Sequence, residues 1–143
     1  MAKFTTPYDT LLRVRRIEED RAKAEMATAS HTEREAQATF ADRVEAYPTL
    51  VRPPDAETDL VGFRRHHQTS QAAASSVTQA AQAAESAHEQ VESAREALRA
   101  AAMRTQGLER LVDRAHEERF AQMLRADQRT AEESVSRKKK GRP

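Results

Sequence analysis

The fold is decided by residues 47–58, which read YPTLVRPPDAET. Three of these twelve residues are prolines, and proline lacks a backbone N–H and disfavours helical geometry in the residue before it. No other proline lies between Pro7 and Pro143. The stretch therefore predicts a hinge that separates two long helices.

The residues before the hinge predict a first long helix over 7–46, after a short lead over 1–6. Thr6 can cap this helix, Pro7 suits its first position, and Asp9 adds a carboxylate to its first turn. Apolar residues then follow one face with a period of about 3.6 residues, interrupted by Glu33. The residues of that face are Leu11, Val14, Ile17, Ala22, Met26, Ala29, Ala36, Phe40, Val44 and Tyr47.

The residues after the hinge predict a second long helix over 59–137 and a basic tail over 138–143. Asp55 or Thr58 is the expected cap, and Gly62 and Gly107 are the weak points of the helix. Two rows of residues seven apart form a weak heptad seam that is rich in alanine. One row contains Phe63, Ser70, Val77, Ala84, Val91, Leu98 and Thr105, and the other contains Leu60, His67, Ala74, Ala81, His88, Arg95 and Ala102.

The short hinge predicts an all-α fold, a two-helix antiparallel coiled-coil hairpin in which the second helix overhangs the first. Pairing residue 46 with residue 59 places residue i opposite about 105 − i, so that Leu11 faces Ala94 and Phe40 faces Arg65. The overhang then starts near residue 98 and is rich in large apolar side chains. We expect a second copy or a partner protein to cover it, unless the overhang folds back or is partly disordered.

The composition agrees with a long helical hairpin. Ala, Glu, Lys, Leu and Arg make up about half of the 143 residues, a profile typical of coiled coils. Leu, Ile, Val and Phe make up only about 15%, too little for a compact globular core. The chain has no cysteine, no apolar run of membrane-spanning length and no signal-peptide core, so we expect a cytoplasmic protein.

The sequence contains no recognisable catalytic constellation. The three glycines are isolated, which excludes a glycine-rich phosphate loop, and the five histidines are scattered. Residues 85–88 read ESAH and match the Glu-x-x-His pattern of helical di-iron sites, which Asp113 and His116 loosely repeat. Such sites need carboxylates from four helices. We therefore expect no enzyme activity, no cofactor and no metal site.

The basic residues at the end of the sequence leave one alternative open. Residues 138–143 read KKKGRP, which resembles the short hooks that enter A·T-rich minor grooves. A solvated tail that keeps the helix end soluble explains the same residues. From the residues alone, two interpretations stay open: a generic cytosolic coiled-coil scaffold and a helical protein associated with nucleic acid. Nucleic acid is not the expected partner.

Two segments of the sequence resemble flagellar FliJ proteins. Residues 8–22 read YDTLLRVRRIEEDRA, similar to the family's opening of an aromatic residue, paired leucines, an arginine-containing turn, acids and alanine. Residues 108–114 (LERLVDR) and 126–133 (ADQRTAEE) are similar to the family's second block. In that block Asp127 replaces a glutamate, Arg129 replaces a lysine, and Ala131 and Glu132 replace a Leu-Asp pair.

The resemblance implies a non-enzymatic component of flagellar type III protein export. FliJ proteins are antiparallel coiled coils that resemble the rotary stalk of ATP synthases. The end that bears both termini inserts into the ring of the export ATPase FliI, and another part contacts the export gate protein FlhA. Members also handle empty export chaperones. The resemblance thus implies a cytoplasmic protein peripherally associated with the membrane at the flagellar base, without a small-molecule substrate.

The resemblance also suggests which residues bind these partners. The residues expected at the ATPase ring are Leu11, Leu12, Leu108, Leu111, Val112, Phe120, Met123 and Leu124. The residues expected at the export gate are Phe63, His67, Ser70, Ala74 and Val77. The family usually has apolar residues where this chain has His66, His67 and Ser70.

Overall fold

The computed structural model describes residues 4–140, and this range forms two α-helices and no β-strand. Helix α1 comprises Asp9–Leu50, and helix α2 comprises Leu60–Lys140. The helices pack against each other in opposite directions, and side-chain hydrogen bonds join them at His88 and at Thr105. The prediction of an all-α two-helix hairpin is confirmed.

Helix α1 begins with one half of a capping box. The Asp9 carboxylate accepts a hydrogen bond from the Thr6 backbone N–H at 2.6 Å, which satisfies a donor that the helix itself leaves unpaired. The Asp9 N–H donates to the Thr6 carbonyl oxygen at 3.2 Å. Regular helix starts at Asp9, two residues after the predicted start at Pro7.

Helix α1 continues beyond its predicted end at residue 46 and includes Pro48 in its last turn. Pro48 has no N–H to donate to the Val44 carbonyl oxygen and its ring crowds that oxygen, but only two helical residues follow it, so the helix loses little by ending there. The Val51 N–H still donates to the Tyr47 carbonyl oxygen at 3.1 Å. The connector therefore comprises residues 51–59 rather than the predicted 47–58.

Asp59 is the N-cap of α2, not Asp55 or Thr58 as predicted. Its carboxylate accepts a hydrogen bond from the Gly62 N–H at 2.8 Å, the usual geometry of an N-cap aspartate. Thr58 instead closes a turn, because its hydroxyl donates to the Asp55 carbonyl oxygen at 2.7 Å. A Cβ atom at Gly62 would lie 2.5 Å from Cγ2 of Thr58, so a larger residue there would require the Thr58 side chain to move.

Contacts within the chain divide it into two compact units. The terminal unit contains residues 1–19 and 101–143, of which 4–19 and 101–140 are described. The hinge unit contains residues 20–100. Each unit includes a piece of both helices, so each has its own part of the seam between them.

The seam of the hinge unit is built mainly from alanine. Ala22 of α1 and Ala73, Ala80, Ala87 and Val91 of α2 are buried. On both helices the buried and half-buried positions alternate in steps of three and four residues, which is the heptad of a coiled coil. The half-buried positions that follow this spacing include Met26, Ala29, Glu33, Ala36 and Phe40 on α1 and Ser70, Val77, Ala84, Ala94 and Leu98 on α2.

One of the two predicted rows of α2 is confirmed from Ser70 to Thr105, and the other is wrong. The second row lies one residue earlier than predicted, so that Ala74, His88 and Arg95 are exposed. Both candidate rows keep heptad spacing. Helix α1 packs on the row that is alanine at every seventh position from 73 to 101, because small side chains let two helix backbones approach closely.

In the seam of the terminal unit, Leu12 is the large apolar side chain that is buried, and the Thr105 hydroxyl is buried beside it. Leu12 of α1 and Ala101 and Thr105 of α2 are buried. The Thr105 hydroxyl lies 3.3 Å from the Arg15 carbonyl oxygen of α1 and 3.1 Å from the Ala101 carbonyl oxygen of its own helix. The buried hydroxyl therefore has acceptors on both helices, so its burial does not leave a hydrogen-bond donor unpaired.

The predicted apolar face of α1 is correct in its middle and wrong at both ends. Leu11, Val14 and Ile17 are 43%, 45% and 48% exposed, and Val44 and Tyr47 are also exposed. The seam follows a period of 3.5 residues, and over several turns this diverges from the 3.6 of a straight helix. Leu12 therefore faces α2 where Leu11 was expected.

The register between the helices also differs from the prediction. Glu33 faces His88 in the hinge unit and Arg15 faces Thr105 in the terminal unit, whereas the expected partners were residues 72 and 90. The shift arises because the end of α1 lies beside Thr69 and Ala72, so that about the first three turns of α2 lie beyond it; Leu60 and Phe63 in these turns are 73% and 58% exposed. Neither Leu11 nor Phe40 therefore has its predicted partner.

A larger side chain in the alanine row should separate the helices. We expect Ala87→Leu, at a position that is 4% exposed, to lower the free energy of unfolding by about 1–3 kcal/mol through overpacking. Ala83→Leu is the matched control, because Ala83 is exposed on the same helix. Urea denaturation followed by circular dichroism measures both variants. Equal stability of the two would contradict the assigned seam.

The polar pair Glu33–His88 bridges the seam of the hinge unit. Nδ1 of His88 donates to Oε1 of Glu33 at 2.7 Å. This hydrogen bond raises the pKa of His88 above its usual 6.5; burial opposes the shift, and the charges of Glu33, Glu92 and Glu85 each add a smaller increase. A histidine whose pKa is raised by folding stabilises the fold while it is protonated.

The pair therefore predicts a pH-dependent contribution to stability. It should be fully present below about pH 6.5, the unfolded pKa, and should be lost as the pH rises through the raised pKa of the folded state. Glu33→Gln should therefore destabilise the protein more at about pH 6 than at about pH 9. Glu35→Gln is the control, because Glu35 pairs with His31 within α1 only. Thermal melting at both pH values tests this, and a pH-independent effect of Glu33→Gln would count against it.

Candidate protein-binding surfaces

Side chains of both helices form a shallow apolar groove in the terminal unit. Leu11 lies on the α1 side, and Met103 and Leu111 lie on the α2 side; they are 43%, 72% and 40% exposed. The groove exists because Leu12 and not Leu11 enters the seam, which leaves Leu11 at its edge. Its lining residues are Leu11, Arg15, Met103, Arg104, Gly107, Leu108 and Leu111.

Gly107 lies in this groove within a regular helix. A Cβ atom added there would meet no other atom within 4 Å, so neither the backbone nor packing requires glycine. Glycine in a helix costs about 1 kcal/mol relative to alanine. Its effect here is to leave space between Met103 and Leu111, one turn away on either side.

Ion pairs lie beside the groove. The Arg16 guanidinium contacts Oε1 of Glu109 at 3.2 Å and so joins the two helices. The Arg15 guanidinium contacts Oε2 of Glu18 at 2.7 Å within α1. All four side chains are substantially exposed, so each pair contributes about 0–1 kcal/mol to stability. Their main effect is to surround an apolar strip with charges.

Phe4, in the segment that precedes α1, contacts two side chains of α2. Its ring lies edge-to-face against the His116 imidazole, with a centroid distance of 5.3 Å and an interplanar angle of 79°. The Arg119 guanidinium carbon lies 5.4 Å from the centre of the Phe4 ring. This contact was not expected, because residues 1–6 were predicted only as a short lead. An aromatic residue two positions before a helix cap was the available signal.

The eight residues expected at the ATPase ring occupy three different environments. Leu11, Leu108 and Leu111 line the groove, whereas Leu12 is buried in the seam. Val112 is half-buried in the same seam. The remaining three are exposed nearer the end of α2; they are Phe120, Met123 and Leu124, at 65%, 55% and 47% exposure.

These environments lie on different faces of α2. At about 100° per residue, Phe120 lies roughly half a turn around the helix from Leu111. One flat surface therefore cannot cover all eight residues. Met103, Arg104 and Gly107 also line the groove but were not among the expected residues, although they lie four to eight residues before Leu111 at helical spacing.

The five residues expected at the export gate lie along the edge of the seam. Ser70 and Val77 are half-buried against α1, whereas His67 and Ala74 are exposed and Phe63 is 58% exposed. The Ser70 hydroxyl lies 3.4 Å from Nε2 of the half-buried His66. Only the outer side of this stripe is therefore accessible, and Phe63 is its largest apolar side chain.

Metal and membrane sites were searched over the described residues. In residues 4–140 no three His, Asp or Glu side chains lie close enough together to hold a metal ion. Neither α1 nor the described α2 contains an apolar stretch long enough to cross a membrane. The basic tail predicted over 138–143 is helical up to Lys140, and its last three residues lie outside the described range.

Comparison with known protein families identifies the chain. The family model described as flagellar FliJ protein matches residues 4–142 of the 143-residue sequence. The chain belongs to the FliJ family. Neither the comparison with curated proteins nor the comparison with solved structures gives a match.

Membership in the FliJ family identifies a coiled-coil protein of flagellar type III export. The FliJ family is a non-catalytic component of that machinery. The match covers both segments that resemble the family, residues 8–22 and residues 108–133, together with the hinge between them. The resemblance seen in the sequence is therefore confirmed over nearly the whole chain.

Proposed function

We propose that this FliJ-family protein is a stalk that inserts its terminal unit into the ring of the flagellar export ATPase FliI. The observation that supports this role is the apolar groove in the terminal unit, to which both helices contribute exposed side chains. Leu11, Met103 and Leu111 keep 40% to 72% of their surface in solvent. Protein interfaces bury such side chains at a gain of about 25 cal/mol per Å².

The groove also suggests which kind of surface on the ATPase ring would be complementary to it. Its apolar floor is bordered by arginines from both helices, Arg15 on α1 and Arg104 on α2. A complementary surface would therefore present apolar side chains with carboxylates at its edge. Because apolar residues at the centre of an interface contribute most of the binding energy, Leu111 is the residue on which we expect binding to depend most.

The test is ATP hydrolysis by FliI with increasing amounts of this protein. We expect Leu11→Ser combined with Leu111→Ser to raise the concentration needed for half-maximal stimulation about tenfold or more, because both side chains would be lost from the interface. The matched control is Leu60→Ser combined with Val61→Ser, which changes two equally apolar residues that are 73% and 63% exposed in the hinge unit.

The stability of each variant is measured by circular dichroism, so that loss of binding is separated from loss of fold. Equal stimulation by the groove variant and the control variant would refute the assignment to the groove. Absence of any stimulation or co-sedimentation with the assembled ring, for the unchanged protein, would refute the stalk role itself.

The second part of the proposal is a link from the ATPase to the export gate protein FlhA. The exposed side of the stripe Phe63–Val77 is the proposed contact, and the 58% exposure of Phe63 supports it. Binding to these partners would hold the protein peripherally at the cytoplasmic face of the membrane at the flagellar base. Handling of empty export chaperones belongs to the same proposal, without an assigned surface.

Phe63→Ala should weaken binding to the cytoplasmic part of FlhA by about tenfold, as expected for the loss of an aromatic anchor. Val61→Ala is the control, since Val61 is 63% exposed but lies roughly 160° around the helix from Phe63. Isothermal titration calorimetry gives both dissociation constants. The same loss in both variants would argue against a contact centred on Phe63.

A further inference from the structure

The end of α2 carries a second heptad row that is separate from the seam. All residues from 122 to 140 are exposed, and among them Leu124 and Val135 are 47% and 64% exposed. Ala121, Leu124, Ala131 and Val135 occupy heptad positions in steps of three and four residues, with the polar Gln128 at the position between Leu124 and Ala131. This end row consists of Ala121, Leu124, Gln128, Ala131, Val135 and Lys138.

The end row and the seam lie on different faces of α2. At about 100° per residue, the end row lies roughly 150° around the helix from the seam residues Ala101, Leu108 and Ala115. A partner that packs on the end row would therefore leave α1 in its place. The row is free to bind a helix without unfolding the hairpin.

The charges beside the end row indicate which kind of helix could pack on it. Glu118, Arg125, Glu132 and Lys139 occupy one flank at every seventh position, and their signs alternate. None of the four forms an ion pair among the described residues. In an antiparallel coiled coil, this flank of one helix faces the same flank of the other.

We infer that the end row pairs with the end row of a second copy of this chain in an antiparallel coiled coil. When Leu124 faces the second copy's Val135, Glu118 lies beside the second copy's Lys139 and Arg125 beside its Glu132. Twofold symmetry repeats each contact, so all four flanking pairs are of opposite sign. Parallel pairing would instead bring Asp127 of one copy towards Glu132 of the second copy, and these two negative charges repel each other.

The pairing is expected to be weak and sensitive to salt. Two alanines and Gln128 occupy the row, so little apolar area is buried, and exposed ion pairs are screened at high ionic strength. The paired segment would also cover Leu124 and its neighbour Phe120. If the same end enters the ATPase ring, pairing and insertion exclude each other; this consequence rests on the proposed function, whereas the pairing does not.

Sedimentation equilibrium of the full chain, without any partner, tests the pairing. The unchanged protein should show a monomer–dimer equilibrium that weakens with salt. Arg125→Glu should lower the association constant about tenfold, because it places two glutamates together at two symmetric positions. Arg129→Glu is the matched control, since it makes the same charge change roughly 120° away from the end row.

Mixing two variants provides a rescue. Arg125→Glu and Glu132→Arg should each associate poorly alone, but an equimolar mixture should form a heterodimer, because all flanking pairs between the two variants are again of opposite sign. Restored association in the mixture separates a specific contact from a change in net charge.

Disulfide cross-linking tests the orientation, since the natural chain contains no cysteine. An oxidised mixture of Glu118→Cys and Lys139→Cys chains should form a cross-linked dimer, and neither variant should do so alone. Self-cross-linking of Leu124→Cys, a row position that faces its own copy only when the helices are parallel, would indicate parallel pairing and overturn the inference. A protein that stays monomeric, or a dimer that Arg125→Glu and Arg129→Glu affect equally, would overturn it as well.

Discussion

The close approach of two helix faces lined with alanine is the interaction on which the rest of the structure depends. Alanine at every seventh position from 73 to 101 lets α1 lie near the backbone of α2. This row determines which residue of each neighbouring pair faces inward, Ala87 rather than His88, for example. It thereby determines which larger side chains remain outside, and these are the side chains with which a partner can interact.

The helices, the hinge and one heptad row could be predicted from the sequence, because prolines, caps and sevenfold spacing are local signals. The second row could not be chosen by spacing, since Ala73 and Ala74 both fit a heptad. Only the run of alanines from 73 to 101 distinguishes them. The register could not be predicted either, because it depends on how far the connector of residues 51–59 runs beside the first turns of α2.

The candidate site was predicted in part. Leu11, Leu108 and Leu111 do come together, but Leu12 and Val112 belong to the seam, and which of Leu11 and Leu12 faces outward depends on the period of 3.5 residues. Two separate faces of the terminal unit carry exposed apolar residues. One is the groove, to which both helices contribute, and the other is the end row of α2 alone, so two different kinds of binding are compatible with one short segment.

The scarcity of large side chains in the seam has a calorimetric consequence. Among the described residues no side chain is buried below 2% exposure, and the core consists mostly of alanine. The heat capacity increment of unfolding scales with the apolar area that becomes exposed, so it should be small per residue. Stability should then change little on cooling, and heating should melt the helices over a broad range of temperature. If a partner buries apolar surface of the hairpin, the heat capacity increment for unfolding the complex should be larger than for the hairpin alone.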